Sequence, residues 1–496
     1  MSNPLYDALI APHAKNTAPF LIDDGGQVIR FADFVARVAQ MAHAITKAGV
    51  TAGDRIVVQA PKTTDALALY GAALQTGAIY LPLNLAYTQA ELAYFIGDAT
   101  PALVVCTPEA RGSMVEIAGG AAIETLGKEV GSLSDTADQC ETEFATVTRA
   151  PNDLAALLYT SGTTGRSKGA MMSHDNLLSN AAVLCDLWRI TEADRLIHAL
   201  PIFHTHGLFV AMNTCLLAGA SVRFMGGFDA DQILAEMPQS TMMMGVPTFY
   251  TRLLDHAGLN SEVVQNMRLF ISGSAPLLAE THTEFEARTG HRILERYGMT
   301  ETNMITSNPY DGARVAGTVG YALPGCEVKI TDGQTTLGAG EIGMIEVRGA
   351  NVFQGYWQMP EKTAEELRED GFFITGDLGV MDDTGRVSIV GRQKDLIISG
   401  GYNIYPKEIE DVINEVDGVV ESAVFGVPDA DFGEAVVAAV VIRTGGVDAA
   451  TIADEVARQL ARFKHPRRYE IMDALPRNTM GKVQKNLLRD QFGATD

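Results

Sequence analysis

The sequence predicts a two-part α/β protein: a large N-terminal domain of stacked α/β sheets with an added β subdomain, followed by a small, mobile α+β domain. Through about residue 390, strand-like apolar runs alternate with helical stretches, as in RIVVQA (55–60) followed by TTDALALYGAALQTG (63–77). Such alternation is typical of helices packed on mostly parallel sheets. Residues 327–390 instead read as short strands with Gly and Asp turns, which indicates an antiparallel subdomain.

A third observation divides the chain. The segment GRQKDLIISGGYNIYPKEIEDVINEV (391–416) contains a glycine pair suited to a bend, and Pro406 stands where a helix would begin. Beyond it, about one hundred residues read as β-α-β-β-α-β. We therefore expect two domains, residues 1–393 and 394–496.

The composition limits the possible functions. The chain has 496 residues and a net charge of −23, which argues against nucleic acid and anionic membranes as partners, since both need basic surface. The five cysteines form no C-x-x-C pair, so we expect a reducing cytoplasmic location without a disulfide framework or zinc site. The N-terminus lacks the pattern of a secretory signal, and the longest apolar run, AVVAAVVI (435–442), is too short for a bilayer.

The segment YTSGTTGRSKG (159–169) has the composition of a phosphate-binding loop. Glycines can turn backbone N–H groups toward an anion, and hydroxyls and Lys168 add donors and charge. The Walker pattern fails, because Ser167 occupies its second glycine position and Gly169 follows the lysine. A buried strand (154–160) before the loop and a capped helix (173–184) after it favour a phosphate site over a flexible surface loop.

Two acidic segments are candidates for metal and ribose contacts. In ERYGMTET (295–302), Glu301 beside Thr300 can hold Mg²⁺ together with phosphate oxygens, although the same pattern suits a helix N-terminus. In TGDLG (375–379), we expect Asp377 in a turn, either as an ordinary turn residue or as an acceptor from ribose hydroxyls.

Cationic side chains elsewhere could meet an anion. His204 and His206 in LPIFHTHG lack a nearby third metal ligand, so we interpret them as pocket-lining donors. Arg392 is either a solvated charge or a ribose and phosphate contact. Lys482 lies in a Pro/Gly-bounded loop, where it is either a surface lysine or a cation for a developing carboxyl–phosphate charge.

The order and spacing of these motifs resemble the acyl-adenylate-forming superfamily, which includes acyl-CoA synthetases, firefly-type luciferases and peptide-synthetase adenylation domains. The motifs are YTSGTTGRSKG, LPIFH, YGMTE, TGD, GR-x-K and P-x-x-x-x-G-K, and the resemblance covers nearly the whole chain. Ser167 departs from it, because the family usually has proline before the lysine.

The resemblance implies that ATP, with Mg²⁺, activates a carboxylic acid to an acyl-AMP with release of pyrophosphate, and that coenzyme A takes the acyl group after the C-terminal domain rotates. The β- and γ-phosphates would be held by Thr160, Ser161, Gly162, Thr163, Thr164, Gly165 and Lys168. The α-phosphate, Mg²⁺, ribose and adenine would be held by Thr300, Glu301, Asp377, Arg392 and Tyr297. The reacting carboxylate and phosphate would be met by Lys482 and His204. The thioester step would use the segment Ser399, Gly400, Gly401 and Tyr402, with Lys394 as the pivot.

The acid itself is indicated by Arg296. Many fatty acyl-CoA synthetases have glycine there, and relatives place the positions of Ser274 and His206 in the same cavity. A buried unpaired arginine is costly, so the substrate should bring a second negative charge. Thr205 and Met304 would limit the size of the acid, which favours malonate.

The string LFISGSAPLLAETHTEFEARTGHRILERYGMTETNM (269–304) resembles the malonyl-CoA synthetases of this superfamily. Some activity on methylmalonate is expected, because one methyl group gives discrimination of only about 1–3 kcal/mol. The alternative for Arg296 is a scaffold role paired with Glu295 or another acid of the chain.

Other functions remain as alternatives. An amino-acid-loading adenylation domain would need an acidic residue where Phe203 and His204 stand, and a non-catalytic nucleotide-binding relative would be expected to lack Lys482 or Glu301. A luciferase-like side activity and ligation of another small acid are not distinguished by the residues. In synthetases of this type the P-x-x-x-x-G-K lysine is often acetylated, so a lysine acetyltransferase and deacetylase acting on Lys482 are further expected partners.

Overall fold

A computed structural model describes residues 3–160, 167–429, 431–443, 445–478 and 482–493. Within these ranges the strands, numbered in chain order, are β1 (Pro19–Ile22), β2 (Val28–Arg30), β3 (Arg55–Gln59), β4 (Ile79–Pro82), β5 (Leu103–Cys106), β6 (Ala122–Thr125), β7 (Leu154–Thr160), β8 (Lys168–Ser173), β9 (Arg195–His198), β10 (Ser221–Phe224), β11 (Met242–Gly245), β12 (Leu269–Ser272), β13 (Leu294–Met299), β14 (Asn303–Ser307), β15 (Tyr321–Ala322), β16 (Glu327–Thr331), β17 (Gly343–Arg348), β18 (Phe373–Met381), β19 (Val387–Arg392), β20 (Ile397–Ser399), β21 (Tyr402–Ile404), β22 (Val419–Asp429), β23 (Gly433–Ile442) and β24 (Arg468–Met472).

The α-helices of the same ranges are α1 (Pro4–Leu9), α2 (Phe31–Lys47), α3 (Thr64–Thr76), α4 (Gln89–Ala99), α5 (Arg111–Ile117), α6 (Ser132–Asp138), α7 (His174–Leu187), α8 (Asn213–Ala218), α9 (Ala230–Glu236), α10 (Pro247–Leu254), α11 (Ala279–Thr289), α12 (Pro360–Glu366), α13 (Pro406–Asn414), α14 (Ala449–Gln459) and α15 (Lys485–Phe492). A π-helical turn (His206–Met212) leads directly into α8. None of the described helices is long and apolar enough to cross a membrane.

In the described residues, two large sheets build the N-terminal part. One has the order β15-β14-β13-β12-β11-β9-β10-β1-β2, and the other has the order β6-β5-β3-β4-β7-β8. Strands β9, β10, β11, β12 and β13 run parallel to one another, so their carboxyl ends meet at one edge. The strands are short, almost wholly apolar runs, as expected for sheets covered on both faces, and this confirms the α/β class.

The glycine-rich segment has a different setting from the one predicted. Strand β7 is confirmed, but β8 pairs with it antiparallel, with Thr160 opposite Lys168. The segment therefore joins the strands of a hairpin. Helix α7 begins only after β8, where Ser173 caps it in a capping box with Asn176. The predicted strand–loop–helix arrangement is wrong because β8 intervenes between the loop and the helix.

One further local prediction is wrong, and one alternative is excluded. Asp377 lies inside strand β18, opposite Arg392 of β19, and only the preceding Gly376 has a turn-like φ of +74°. Thr300 and Glu301 lie in a turn between antiparallel strands β13 and β14, which excludes a helix N-terminus. The antiparallel subdomain itself is confirmed as the sheet β16-β17-β18-β19.

The C-terminal part has its own sheet and its own buried clusters. Its strand order is β21-β20-β23-β22, and β24 pairs with β23 in parallel. One apolar cluster lies under α13 and α14, and another lies under α15. The predicted β-α-β-β-α-β pattern is present as β21, α13, β22, β23, α14 and β24. Strand β20 precedes this pattern and helix α15 follows it.

Candidate active site

The candidate site lies at the edge where the parallel strands of the nine-stranded sheet end. Strand β9 ends at His198, strand β12 ends at Ser272, and Arg296 lies on β13 beside β12. In open α/β sheets, ligands bind at the carboxyl ends of the strands, where connections diverge. The residues predicted to hold the acid therefore belong to neighbouring segments of one edge.

Arg296 is a buried cation without a carboxylate partner among the described residues. Its side chain is 3% exposed, and its Nε and Nη2 atoms are buried without hydrogen-bond partners. Burial lowers the pKa of Arg296 to about 9, and the nearby Tyr250 opposes this shift. The guanidinium therefore stays charged at pH 7. Burial of an unpaired charge is costly unless a ligand supplies the opposite charge.

Gly273 makes room for this guanidinium. A Cβ atom placed on Gly273 would lie 2.4 Å from Nη1 and 2.5 Å from Cζ of Arg296. Such distances are far inside van der Waals contact, so any side chain here would displace Arg296. Glycine at this position therefore leaves the space that the guanidinium occupies.

The predicted alternative partner of Arg296 faces elsewhere. Successive residues of a strand point to opposite faces, so Glu295 and Arg296 diverge. Glu295 Oε1 lies 3.6 Å from Nδ1 of His282 on α11, and burial raises the pKa of Glu295. A scaffold pair between Glu295 and Arg296 is thus contradicted.

Polar groups surround the free guanidinium. Nδ1 of His206 lies 3.3 Å from Oγ of Ser274, and its Nε2 is buried without a partner in the described part of the chain. Burial, with Arg296 second, lowers the pKa of His206 well below its usual value, so the ring is neutral. Ser274 has a φ of +72°, a left-handed conformation that costs a non-glycine residue about 1–3 kcal/mol. Thr205 and Met304 are both buried, and Oγ1 of Thr205 has no hydrogen-bond partner within the ranges that the structure describes.

Lys482 of the C-terminal part reaches the same site. Its backbone N–H donates to Oδ1 of Asn478 at 3.0 Å, while its side chain remains exposed to solvent. Surrounding protein and the charge of Arg392 lower its ammonium pKa, with Asp377 opposing the shift. Burial, Lys482 and Arg296 together lower the pKa of His204 to about 3. The charge of Lys482 therefore acts on His204, beside the residues of the acid pocket.

Glu301 belongs to a chain of charged groups that the sequence did not reveal. The hydroxyl of Tyr356 lies 3.0 Å from Glu301 Oε1 and 2.6 Å from Glu366 Oε2. Burial raises the pKa of Glu301. The Lys168 ammonium is 3.0 Å from Glu366 Oε1 and 4.1 Å from the centre of the Tyr356 ring. The predicted phosphate lysine and the predicted Mg²⁺ ligand are therefore linked through Tyr356 and Glu366.

Glu366 also contacts Lys362 at 2.9 Å. Burial opposes the ionised form of Glu366, but hydrogen bonds from Tyr356, Lys362 and Lys168 outweigh it and lower its pKa. A stable carboxylate therefore anchors Lys168. The signal in the sequence was the acid in PEKTAEEL, but nothing in the sequence paired it with a lysine about two hundred residues earlier in the chain.

Asp377 is held from two sides. Oδ2 accepts from the Tyr297 hydroxyl at 2.6 Å, and Oδ1 lies 2.9 Å from Arg392 Nε. The cross-strand pairing of β18 and β19 brings Asp377 and Arg392 together, as the ribose prediction requires. Tyr297 is buried, with 8% of its surface exposed. Its hydroxyl orients the Asp377 carboxylate through the hydrogen bond to Oδ2.

The predicted thioester segment forms the hairpin of β20 and β21, with Ser399 paired to Tyr402. Gly400 and Gly401 have φ values of +58° and +83°, which a tight hairpin turn requires. Tyr402 is largely exposed and stacks on Phe463 at 4.6 Å. These contacts lie within the C-terminal sheet and its loops.

Some predicted phosphate contacts fall outside the described residues: Ser161, Gly162, Thr163, Thr164 and Gly165. Thr160 is described, and its Oγ1 donates to the Lys168 carbonyl at 3.4 Å across the hairpin. The end of the loop is held by the Tyr94 hydroxyl, which donates to the Ser167 carbonyl at 2.8 Å.

Comparison with known proteins finds family matches over most of the chain. Residues 11–357 match the AMP-binding enzyme family and residues 408–482 match the AMP-binding enzyme C-terminal domain. A malonate–CoA ligase of Arabidopsis thaliana is 35% identical over 478 residues, covering 89% of this chain and 78% of that protein. A feruloyl-CoA synthase of Amycolatopsis is 34% identical over 496 residues, covering 99% and 98%.

Solved structures are also similar to this chain over nearly its whole length. ATP-bound MatB of Rhodopseudomonas palustris is 55% identical, covers 99% of both chains and overlays with a TM-score of 0.97. The apo form of the same protein overlays with a TM-score of 0.87. Because the two overlays share one sequence, the difference reflects conformation, and this chain adopts an arrangement closer to the ATP-bound one. The chain belongs to the AMP-binding enzyme family.

Proposed function

We propose that this protein is an ATP-dependent, AMP-forming malonate–CoA ligase, which converts malonate, ATP and CoA to malonyl-CoA, AMP and pyrophosphate. The observation that carries the substrate is Arg296, whose buried guanidinium has no carboxylate partner among the described residues. Malonate has two carboxylates, so one can react while the other pairs with Arg296. The malonate–CoA ligase from Arabidopsis and MatB support this assignment, while a monocarboxylate such as ferulate would leave the cation unpaired.

The first half-reaction joins two anions. One carboxylate oxygen of malonate attacks the α-phosphorus of ATP, and the bond to the pyrophosphate oxygen breaks. Lys482 lies between the two negative groups and reduces their repulsion, which positioning and preorganised charge make effective. Burial and Arg392 lower the pKa of Lys482, while Asp377 and Glu301 oppose this shift and favour the ammonium form. His204, held neutral by burial and neighbouring cations, donates a hydrogen bond toward the anionic centre.

The nucleotide is held by residues from several strands. Asp377 accepts from the ribose hydroxyls, with Tyr297 and Arg392 keeping the carboxylate oriented. Arg392 also balances phosphate charge, and Tyr297 lies beside adenine. The phosphates meet Thr160, Lys168, Thr300 and the glycine-rich segment between them.

Mg²⁺ fits this site through Glu301. Among the described residues no three acidic, histidine or cysteine side chains cluster as a metal cage. Magnesium is commonly bound by one or two carboxylates with phosphates and water, so a single carboxylate beside the phosphates suffices. Bound there, it would neutralise phosphate charge as pyrophosphate leaves.

The second half-reaction needs a different domain arrangement. We propose that residues 394–496 rotate as a unit on residues 1–393 about Lys394, in the 3₁₀ turn between β19 and β20. Rotation removes Lys482 and brings the segment Ser399 to Tyr402 to the acyl-AMP. The thiolate sulfur of CoA then forms a bond to the acyl carbon, and AMP leaves with the oxygen that linked them.

Two wider aspects follow from the same proposal. The exposed Lys482 is accessible to an acetyltransferase, and acetylation would remove the charge that adenylation requires. Its reversal would need a deacetylase. The five cysteines are free in the structure, which supports a reducing, cytoplasmic location.

The test is product analysis with ATP, Mg²⁺ and CoA across malonate, methylmalonate, succinate, acetate and butyrate. Malonate should give malonyl-CoA, AMP and pyrophosphate in equal amounts and lead the panel by about tenfold or more, with methylmalonate next. Comparable turnover of butyrate would overturn the malonate assignment, and absence of AMP with every acid would overturn the ligase.

A further inference from the structure

A lysine outside the sites described above contacts the base of the acid pocket. Lys62 follows strand β3, and its Nζ lies 2.7 Å from Nδ1 and 2.8 Å from the carbonyl oxygen of His198. The same Nζ is also 4.5 Å from the centre of the Phe224 ring. His198 and Phe224 are the last residues of β9 and β10, so Lys62 closes the edge at which the pocket is built.

These contacts fix the tautomer of His198. Its side chain is fully buried, and Nε2 lies 2.8 Å from the carbonyl oxygen of Gly207. A carbonyl only accepts, so Nε2 must carry the hydrogen, and Nδ1 of the neutral ring must accept. Lys62 supplies the donor that Nδ1 needs. Without Lys62, the ring could flip or change tautomer and lose its bond to Gly207.

Gly207 is the second residue of the π-helical turn and directly follows His204, Thr205 and His206. A Cβ on Gly207 would lie 2.0 Å from the Pro201 carbonyl oxygen, so the two ends of the loop 201–207 are in close contact. The hydrogen bond from His198 reaches the loop at that closed point. Small changes there would move His206, which contacts Ser274 beside Arg296.

We propose that Lys62 is a positioning residue for acid selectivity, acting through His198 and Gly207 on the loop 204–206. The inference rests on the proposed function, since it assigns a role within the same acid pocket. Lys62 does not touch the reacting atoms in this account. Its effect should therefore appear in the binding and selection of the acid, with little effect on the nucleotide.

The experiment is a double-mutant cycle with Lys62→Met and His198→Asn. Lys62→Met removes the donor to Nδ1. His198→Asn keeps an acceptor near Nδ1 but removes the donor to Gly207. Each variant should raise KM for malonate about tenfold and reduce the preference for malonate over methylmalonate, with KM for ATP unchanged. Both substitutions interrupt the same chain of contacts, from Lys62 through His198 to Gly207, which we call the relay. The double variant should therefore also show only about a tenfold rise in KM for malonate.

The controls separate a relay from general damage. Lys128→Met removes an exposed lysine and should leave both KM values unchanged. If Lys62→Met does not fold, Lys62→Arg replaces it, because a forked guanidinium cannot reproduce the two short contacts from one nitrogen. Multiplication of the two effects to about a hundredfold, an unchanged KM for malonate, or equal loss toward malonate and ATP would each overturn the relay.

The wild-type protein separates this inference from the proposed function. If the wild type does not use malonate, the proposed function fails, and the cycle is repeated with the acid that it does use. A shared, non-additive rise in KM for that acid would still support the relay, and its absence would reject it.

Discussion

Replacement of Arg296 by methionine should convert a malonate-selective enzyme into one that no longer distinguishes malonate from a monocarboxylate. Nε and Nη2 are both buried and have no partner among the residues that the structure describes, so a carboxylate can accept from the pair. Each charge-assisted hydrogen bond contributes about 1.5–3 kcal/mol, and the lower value for two bonds gives about 3 kcal/mol. At about 1.4 kcal/mol per factor of ten, kcat/KM for malonate should fall about a hundredfold.

The same substitution should not damage the fold. Burial depresses the pKa of Arg296 from 12.5 to about 9, so the folded state disfavours the charged form at every pH below about 9. Removal of this charge should leave the melting temperature at pH 7 unchanged or raised. Activity toward butyrate should be retained or increased, because the pocket then lacks an unpaired cation.

The assay is pyrophosphate release with malonate and with butyrate, together with thermal melting. Arg292→Met is the matched control, since Arg292 lies four residues earlier, is about half exposed and pairs with Glu286 at the surface. It should leave the ratio of malonate to butyrate unchanged. The reasoning is refuted if Arg296→Met keeps its preference for malonate, or if Arg292→Met loses it equally.

Three other outcomes are expected. Gly273→Ala should lower the preference for malonate because the new methyl group displaces Arg296. Gly227→Ala, where the added Cβ meets open space, should not lower it. Equal malonate-to-butyrate ratios of pyrophosphate release in the two variants would refute this. The ratio of activity with malonate to activity with acetate should fall as pH rises through about 9, because Arg296 is cationic below its depressed pKa and neutral above it. Titration of Lys482 affects both acids, so the ratio cancels it. A ratio that stays constant from pH 7 to 10 would contradict this prediction. Glu366→Ala should free Lys168 from its part-buried anchor and raise KM for ATP about five- to tenfold without changing acid preference; an unchanged KM for ATP would count against the anchor.

The sequence predicted regular elements well where the apolar pattern was continuous. Strand β7 and helix α7 appear where periodicity and the Ser173 cap placed them. The failures occurred where short segments fit two structures. Gly376 resembles a turn residue, but Asp377 lies in a strand because β18 pairs with β19. Strand β8 is a short run of mixed residues, KGAMMS, without a strand pattern of its own, and it forms by pairing with β7.

Candidate site residues could be named from the sequence, but the contacts that connect them could not be predicted. The motifs single out Arg296, Glu301, Asp377 and Lys482 because acyl-adenylate chemistry needs such groups, and their roles stay predictions. The absence of a partner for Arg296 is a property of packing, which no local pattern expresses. The need for Gly273 likewise depends on the approach of a side chain from a neighbouring strand.

Other linked groups were also invisible for a physical reason. Tyr356 and Glu366 meet Glu301 and Lys168 only after the chain returns from the antiparallel subdomain. Lys62 meets His198 across two sheets. Such contacts join residues far apart in sequence, so their pairing follows from tertiary structure alone.

The most direct measurement compares malonate with monomethyl malonate in the wild-type enzyme. The ester keeps the reacting carboxylate and the carbon chain but neutralises the second carboxylate. If Arg296 recognises that charge, kcat/KM for malonate should exceed that for the ester by about a hundredfold, and Arg296→Met should abolish the difference. Equal values in the wild type would contradict the account, because they would show that the second charge is not read.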